Sequence, residues 1–122
     1  GTGFGFTVGT PGGDSQTQCC LQVLNNLIDF GLNVQEAVEA PRFCGYSFPQ
    51  SPWPHAVAPN RLAIEGRISR EVAARLTDLG HEVEVVGPWG ITNGFAPIVV
   101  DPETGIYRGG ADPRRESVML GW

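Results

Sequence analysis

"GTPGGDSQTQCCLQVLNNLIDFGLNVQEAVEAPRF", residues 9–43, sets a proline-stiffened glycine turn directly in front of a strong helical pattern. Gly12 and Gly13 allow a sharp backbone path and let other atoms approach closely. The helix behind them points its free amides the same way, so an anionic group, permanent or transient, is the natural guest. The plainer reading is that the glycines only let the chain turn into the helix. Asp14 or Ser15 is placed to cap it. Cys20, Val23, Leu24, Leu27 and Ile28 fall at i, i+3, i+4, i+7 and i+8, which predicts a helix with one buried stripe. Gly31 follows as the residue that closes the helix, with Leu32 folding back on its last turn. Asn33 with Glu36 three residues on forms a capping box for a second, short helix, which Pro41 ends.

Outward from this stretch the signals stay local. Phe4-Gly5-Phe6-Thr7-Val8 reads as a strand leading into the turn. "RFCGYSF" (42–48) reads as extended. "PQSPWPHAVAPN" (49–60) carries four prolines and must be a surface loop or an arm. "RLAIEG" (61–66) is a short strand. Ser69 caps a third helix with Val72, Leu76 and Leu79 inward and Gly80 closing it. "HEVEVVG" (81–87) is a strand with one solvated face, and "FAPIVVDPETGIYRGG" (95–110) is a β-hairpin. The tail has no clear period. Helices and strands alternate first and antiparallel pairing follows, which predicts α+β layers. The hairpin and the long amphipathic helix need further structure to pack against. Residues 1–122 are therefore expected to be an incomplete domain.

Composition excludes several classes. The 122 residues carry a formal net charge of −5, and all eight basic residues are arginine. With no basic stripe, a nucleic-acid partner is not expected. No apolar run reaches the ~18 residues that span a bilayer. Three cysteines, two of them adjacent, make no disulfide framework, and Cys20 falls on the apolar helical face. They read as small buried hydrophobes and point to a reducing, cytoplasmic setting, with periplasmic or secreted placement left open. His55 and His81 offer no metal-ligand spacing, so no metal and no cofactor are expected.

Several kinds of chemistry can be weighed on the motifs alone. "GGDSQ" is not a nucleophile elbow, because no second glycine follows the serine. A triad of Ser15, Asp14 and a histidine has nothing that places its members together. Glycines at 1, 3 and 5 miss the dinucleotide spacing, and a Walker loop needs a lysine that this chain lacks. Asp112-Pro113-Arg114-Arg115 and Arg42 could bind an anion, but read better as structural corners whose arginines bridge carboxylates or backbone carbonyls. The glycine pair remains the best site candidate.

Read together, residues 9–43, "LTDLGHEVEVVG" (76–87) and "VVDPETGIYRGGADPRR" (99–115) closely resemble the C-terminal half of the small subunit of the γ-glutamyltransferase (γ-glutamyltranspeptidase) family. The most specific pieces are Pro11-Gly12-Gly13, the run from Asp29 to Phe43 ending "EAPRF", and Ala111-Asp112-Pro113-Arg114.

The resemblance implies an N-terminal-nucleophile hydrolase, a four-layer αββα sandwich made as a self-cleaving precursor. An N-terminal threonine would attack a γ-glutamyl amide of the glutathione type, with its own α-amino group as base. The acyl-enzyme would pass to water or to an acceptor amino acid or peptide. The remainder of the small subunit and the large subunit would be the protein partners. Carried over, Gly12 and Gly13 donate backbone N–H groups to the oxyanion of the tetrahedral intermediate, an interaction worth roughly 3 kcal/mol per donor in comparable sites. The family's threonine and the residues that grip the glutamyl group lie upstream of these motifs, so this segment alone is expected to be inactive. Asp14 stands where better-known members often carry serine, which suggests a γ-glutamyltransferase-like branch. Two alternatives stay open: an amidase of the same scaffold acting on glutaryl or cephalosporin-type side chains, and a non-catalytic anion-binding module.

Overall fold

The computed structural model describes residues 5–121. The expected start of the first strand at Phe4 lies outside the described residues.

The chain forms β1 (Gly5–Thr7), α1 (Ser15–Ile28), α2 (Val34–Glu39), β2 (Phe43–Gly45), β3 (Arg61–Glu65), α3 (Arg70–Asp78), β4 (Glu82–Val86), β5 (Ile98–Val100) and β6 (Tyr107–Gly109). Element order and type match the sequence reading. The strands make two three-stranded sheets, ordered β1-β5-β6 and β2-β3-β4. β5 and β6 pair antiparallel with Val100 opposite Tyr107, which is the expected hairpin. Its turn is held by the Asp101 carboxylate, which accepts from the Glu103 and Thr104 amides. β1 joins it from the distant end of the chain, with Phe6 opposite Val99. β3 and β4 instead pair parallel, Ala63 opposite Glu84, with α3 as the crossover between them.

Local chemistry sets the helix boundaries. Asn33 forms the full capping box: its side chain accepts from the Glu36 amide, and the Glu36 carboxylate accepts from the Asn33 amide, each at 2.9 Å. Ser69 accepts from Val72 N–H at the start of α3. Gly31 sits at φ 64°, and Leu32 N–H returns to the Asn26 carbonyl. Asp14 occupies the first position before α1 but makes no side-chain cap; its carboxylate is engaged elsewhere.

The core runs between the helices and the second sheet: Cys19, Val23, Val38, Cys44, Ala63, Ile91 and Phe95. This corrects the expected stripe of α1. Its centre is Cys19 and Val23, while Cys20, Leu24 and Leu27 flank it half-buried and Ile28 is 60% exposed. The apolar arc is wider than the surface that α2 and β2 offer it. α3 departs further. Val72 and Leu79 are 48% and 64% exposed, and only Ala73 and Leu76 are half-buried. This helix packs chiefly on the edge strand β4, which covers one side of it. Among the described residues no helix is long and apolar enough to cross a membrane.

Candidate active site

The glycine turn lies between β1 and α1, at the rim of a cavity of about 290 Å³. Gly12 has φ 137° and Gly13 φ 59°, both conformations that side-chain-bearing residues rarely adopt. The two differ in surroundings. A Cβ on Gly12 would fall 2.1 Å from Asn93 Nδ2, whereas nothing lies within 4 Å of a Cβ on Gly13. Among the described residues, neither the Gly12 nor the Gly13 amide N–H is paired with an acceptor. Their carbonyls are occupied on the helix side: Gly13 O accepts from Gln16 N–H, and Gly12 O lies 2.7 Å from Ser15 Oγ.

Asn93 stands behind the turn. Its Nδ2 donates to the Pro11 carbonyl at 3.0 Å, and its Oδ1 lies 2.9 Å from Ser15 Oγ. Nothing in the local pattern singled it out beyond the Asn-Gly pair at 93–94, itself an ordinary turn signal.

The far wall of the cavity is the proline-rich loop. Phe48, Pro49, Gln50 and Pro52 line the cavity together with the glycines, Gly45 and Tyr46. The loop is folded on itself, with Gln50 N–H on the Ala56 carbonyl, His55 N–H on Pro52 and Ala58 N–H on Tyr46. Asp14 clips it to the head of α1: Ser51 Oγ donates to Oδ1 at 2.6 Å, and Ser51 N–H donates to Oδ2. These hydrogen bonds hold the Asp14 carboxyl below its ordinary value. The acidic residue beside the glycines thus lines the same cavity with its carboxylate held by Ser51.

A buried ion cluster joins the end of α2, β3 and the tail. Arg114 reaches Glu65 with two nitrogens, Nε to Oε1 at 2.7 Å and Nη2 to Oε2 at 2.6 Å, and Asp112 with a third contact at 3.0 Å. It also donates to the carbonyls of Val38 and Ala40, where α2 ends. Arg42 pairs with Asp112 at 2.7 Å, donates to the Val38 and Asn93 carbonyls, and stacks 4.5 Å from the Phe95 ring centroid. Arg67 closes the group on Glu65 at 2.8 Å and lies over Trp89. Burial pushes the Glu65 carboxyl up, but the hydrogen bonds from Arg114 and the Arg42 amide outweigh it, leaving the pKa below its ordinary 4.5. Burial lowers Arg42, against the pull of Asp112. Arg114 is also opposed by burial, yet Glu65 and Asp112 raise it. The expected corner role of Arg42 and of Asp112 to Arg115 is what these residues perform, Arg115 by donating to the Thr92 carbonyl. Glu65 was missed, because its strand reads as ordinary and its partners lie far along the chain.

The other candidates separate. Ser15 faces the Gly12 carbonyl and Asn93, Asp14 faces Ser51, and His55 Nδ1 contacts the Gln50 carbonyl, so no triad is assembled. Cys19, Cys20 and Cys44 are free thiols. Burial pushes Cys19 up to about 11, which makes it a packing group. Among the described residues no cluster of His, Cys, Asp or Glu could hold a metal ion.

The structure superposes on a cephalosporin acylase from Bacillus halodurans with a TM-score of 0.77 and 33% identity, over 94% of this chain and 19% of that one. Its two small sheets and flanking helices are thus part of the N-terminal-nucleophile hydrolase sandwich, the class that the fold defines. The family profile described as gamma-glutamyltranspeptidase matches residues 3–122, and the chain belongs to that family. It is 32% identical over 115 residues to the glutathione hydrolase-like YwrD proenzyme of Bacillus subtilis (strain 168), covering 93% of this chain and 20% of that protein. It is also 32% identical over 115 residues to the oxamate amidohydrolase proenzyme of Klebsiella pneumoniae, again with 93% and 20% coverage. The chain thus spans about a fifth of the length of these relatives.

Proposed function

We propose that this chain is the oxyanion-hole segment of a γ-glutamyltransferase-like enzyme that hydrolyses or transfers γ-glutamyl groups. The nucleophilic N-terminal threonine and the residues that grip the glutamyl moiety belong to the rest of the protein. One observation carries the reading: two consecutive glycines in left-handed conformations present unpaired amides at the mouth of a cavity, ahead of a fourteen-residue helix. Preorganised amides of this kind stabilise charge as it develops on an acyl oxygen, and they do so without a charged side chain. Open space beside Gly13 leaves room for that oxygen. Asp14, which lines the same cavity, has its carboxylate engaged by the Ser51 hydroxyl and amide.

A second reading has direct support. An oxamate amidohydrolase and a cephalosporin acylase match this chain as well as the glutathione hydrolase-like protein does. An amidase acting on a different acyl group would use the same turn. Turnover of γ-glutamyl-p-nitroanilide and of glutaryl-p-nitroanilide separates these readings, measured on this polypeptide and on the complete protein that carries it. Activity only in the complete protein, with the γ-glutamyl anilide preferred, supports the proposal. Preference for the glutaryl anilide transfers it to the second reading. Activity in the isolated polypeptide would place a nucleophile within these residues and overturn both.

A further inference from the structure

We propose that Asn93, acting with Ser15, is the positioning residue that aims the two amides of the glycine turn; this rests on the oxyanion reading above. The argument starts from the planarity of the peptide unit. In a trans peptide the C=O of one residue and the N–H of the next point in opposite directions. Fixing a carbonyl therefore fixes the amide that shares its plane. The Gly12 N–H shares a plane with the Pro11 carbonyl, and that carbonyl accepts from Asn93 Nδ2 at 3.0 Å. The Gly13 N–H shares a plane with the Gly12 carbonyl, which lies 2.7 Å from Ser15 Oγ. Both carbonyls are thus held on the protein side by Asn93 and Ser15, and both amides must face the other way.

The two braces are joined. Ser15 Oγ is 2.9 Å from Asn93 Oδ1, so one hydroxyl proton lies between the amide oxygen and the Gly12 carbonyl. Asn93 cannot drift. It is 3% exposed, and its main-chain carbonyl accepts from Arg42 of the buried ion cluster. Its side chain lies so close to Gly12 that a Cβ there would sit 2.1 Å from Nδ2. Contact between Asn93 and the turn, besides φ, thus explains why position 12 must be glycine.

The test uses the complete enzyme and whichever of the two anilides it turns over, with kcat and KM measured separately. Asn93→Ala releases the Pro11 carbonyl and is expected to lower kcat roughly 10- to 100-fold, the scale of a misplaced catalytic group, with KM changed less than about threefold. Asn93→Asp keeps the shape but sets a buried carboxylate against the Pro11 carbonyl, and is expected to lose at least as much kcat and some thermal stability, read by a melt. Ser15→Ala releases only the second plane and should lose less. Combined with Gly13→Ala, Asn93→Ala should cost less than the product of the single effects, because both act on one turn. A kcat within about twofold of the parent for a folded Asn93→Asp protein overturns the proposal, as does a rise in KM at unchanged kcat. Gly13→Val alone separates the two layers, because its branched side chain fills the open space and is poorly compatible with φ 59°, displacing the amide. If a folded Gly13→Val protein keeps kcat near the parent's, the oxyanion reading itself fails; if it lowers kcat while the Asn93 variants do not, only the positioning role fails.

Discussion

Gly12 and Gly13 are glycine for different reasons, and substitution should expose the difference. Gly12→Ala would drive a methyl into Asn93. It is expected to lower both thermal stability and kcat. Gly13→Ala meets open space and carries only the cost of φ 59°, about 1 kcal/mol. Its Tm should fall by a few degrees while kcat falls by about 10²-fold, if the added methyl crowds the acyl oxygen. Thermal melts and steady-state kinetics on the two proteins check this. Cys19 makes a separate prediction at the same scale. With its thiol pushed up to about 11 and fully buried, it should resist alkylation at pH 8 until the protein is unfolded. Mass spectrometry after iodoacetamide treatment reads this directly.

At the scale of elements, α1 is anchored by Cys19 and Val23, which are fully buried, more than by Leu24. Val23→Asp should therefore abolish folding, while Leu24→Asp, on a half-buried flank, should be milder. Soluble yield and urea midpoints of the two variants test the order. The boundaries of α1, α2 and the β5–β6 hairpin were legible because their signals are local: Asn33 with Glu36, Gly31 after the last turn, and the Asp101 turn residues. The parallel pairing of β3 with β4 was not legible, since strand direction depends on where α3 crosses, which no neighbouring residue encodes. The inward face of α3 was overread for a related reason. Periodicity says that Val72, Leu76 and Leu79 share one side, but not how much of that side a partner covers. In the candidate site, the glycine pair stood out by residue type. Asn93 and Glu65 did not, because each works through partners far away in sequence: 82 positions to Pro11 for the first, 49 to Arg114 for the second.

For the whole molecule the ion cluster is the joint between α2, β3 and the tail. Removing one member leaves a buried charge without its partner. Arg114→Met should destabilise by about 3–5 kcal/mol, measurable as a lower urea midpoint. The pH dependence follows from Glu65. Its carboxyl is held below 4.5 in the folded protein, so the stability it contributes is fully present above that pH and is lost as pH falls through the folded value. Acid titration of the unfolding free energy should be steeper in the parent than in Glu65→Gln.

The cluster also imposes an order in time. Gly12 and Gly13 are made early in this segment, yet Arg42, whose donor holds the Asn93 carbonyl, gains its carboxylate partner only from Asp112. A nascent chain that has emerged through the second helix and β3 still carries Arg42 and Glu65 without Asp112 and Arg114. Such separated contacts form late, because the chain between them must be ordered first. Within this segment the later-made stretch therefore locks the earlier one, and a chain that stops short of Asp112 would hold Asn93 against the glycine turn without the carboxylate that pairs Arg42 behind it.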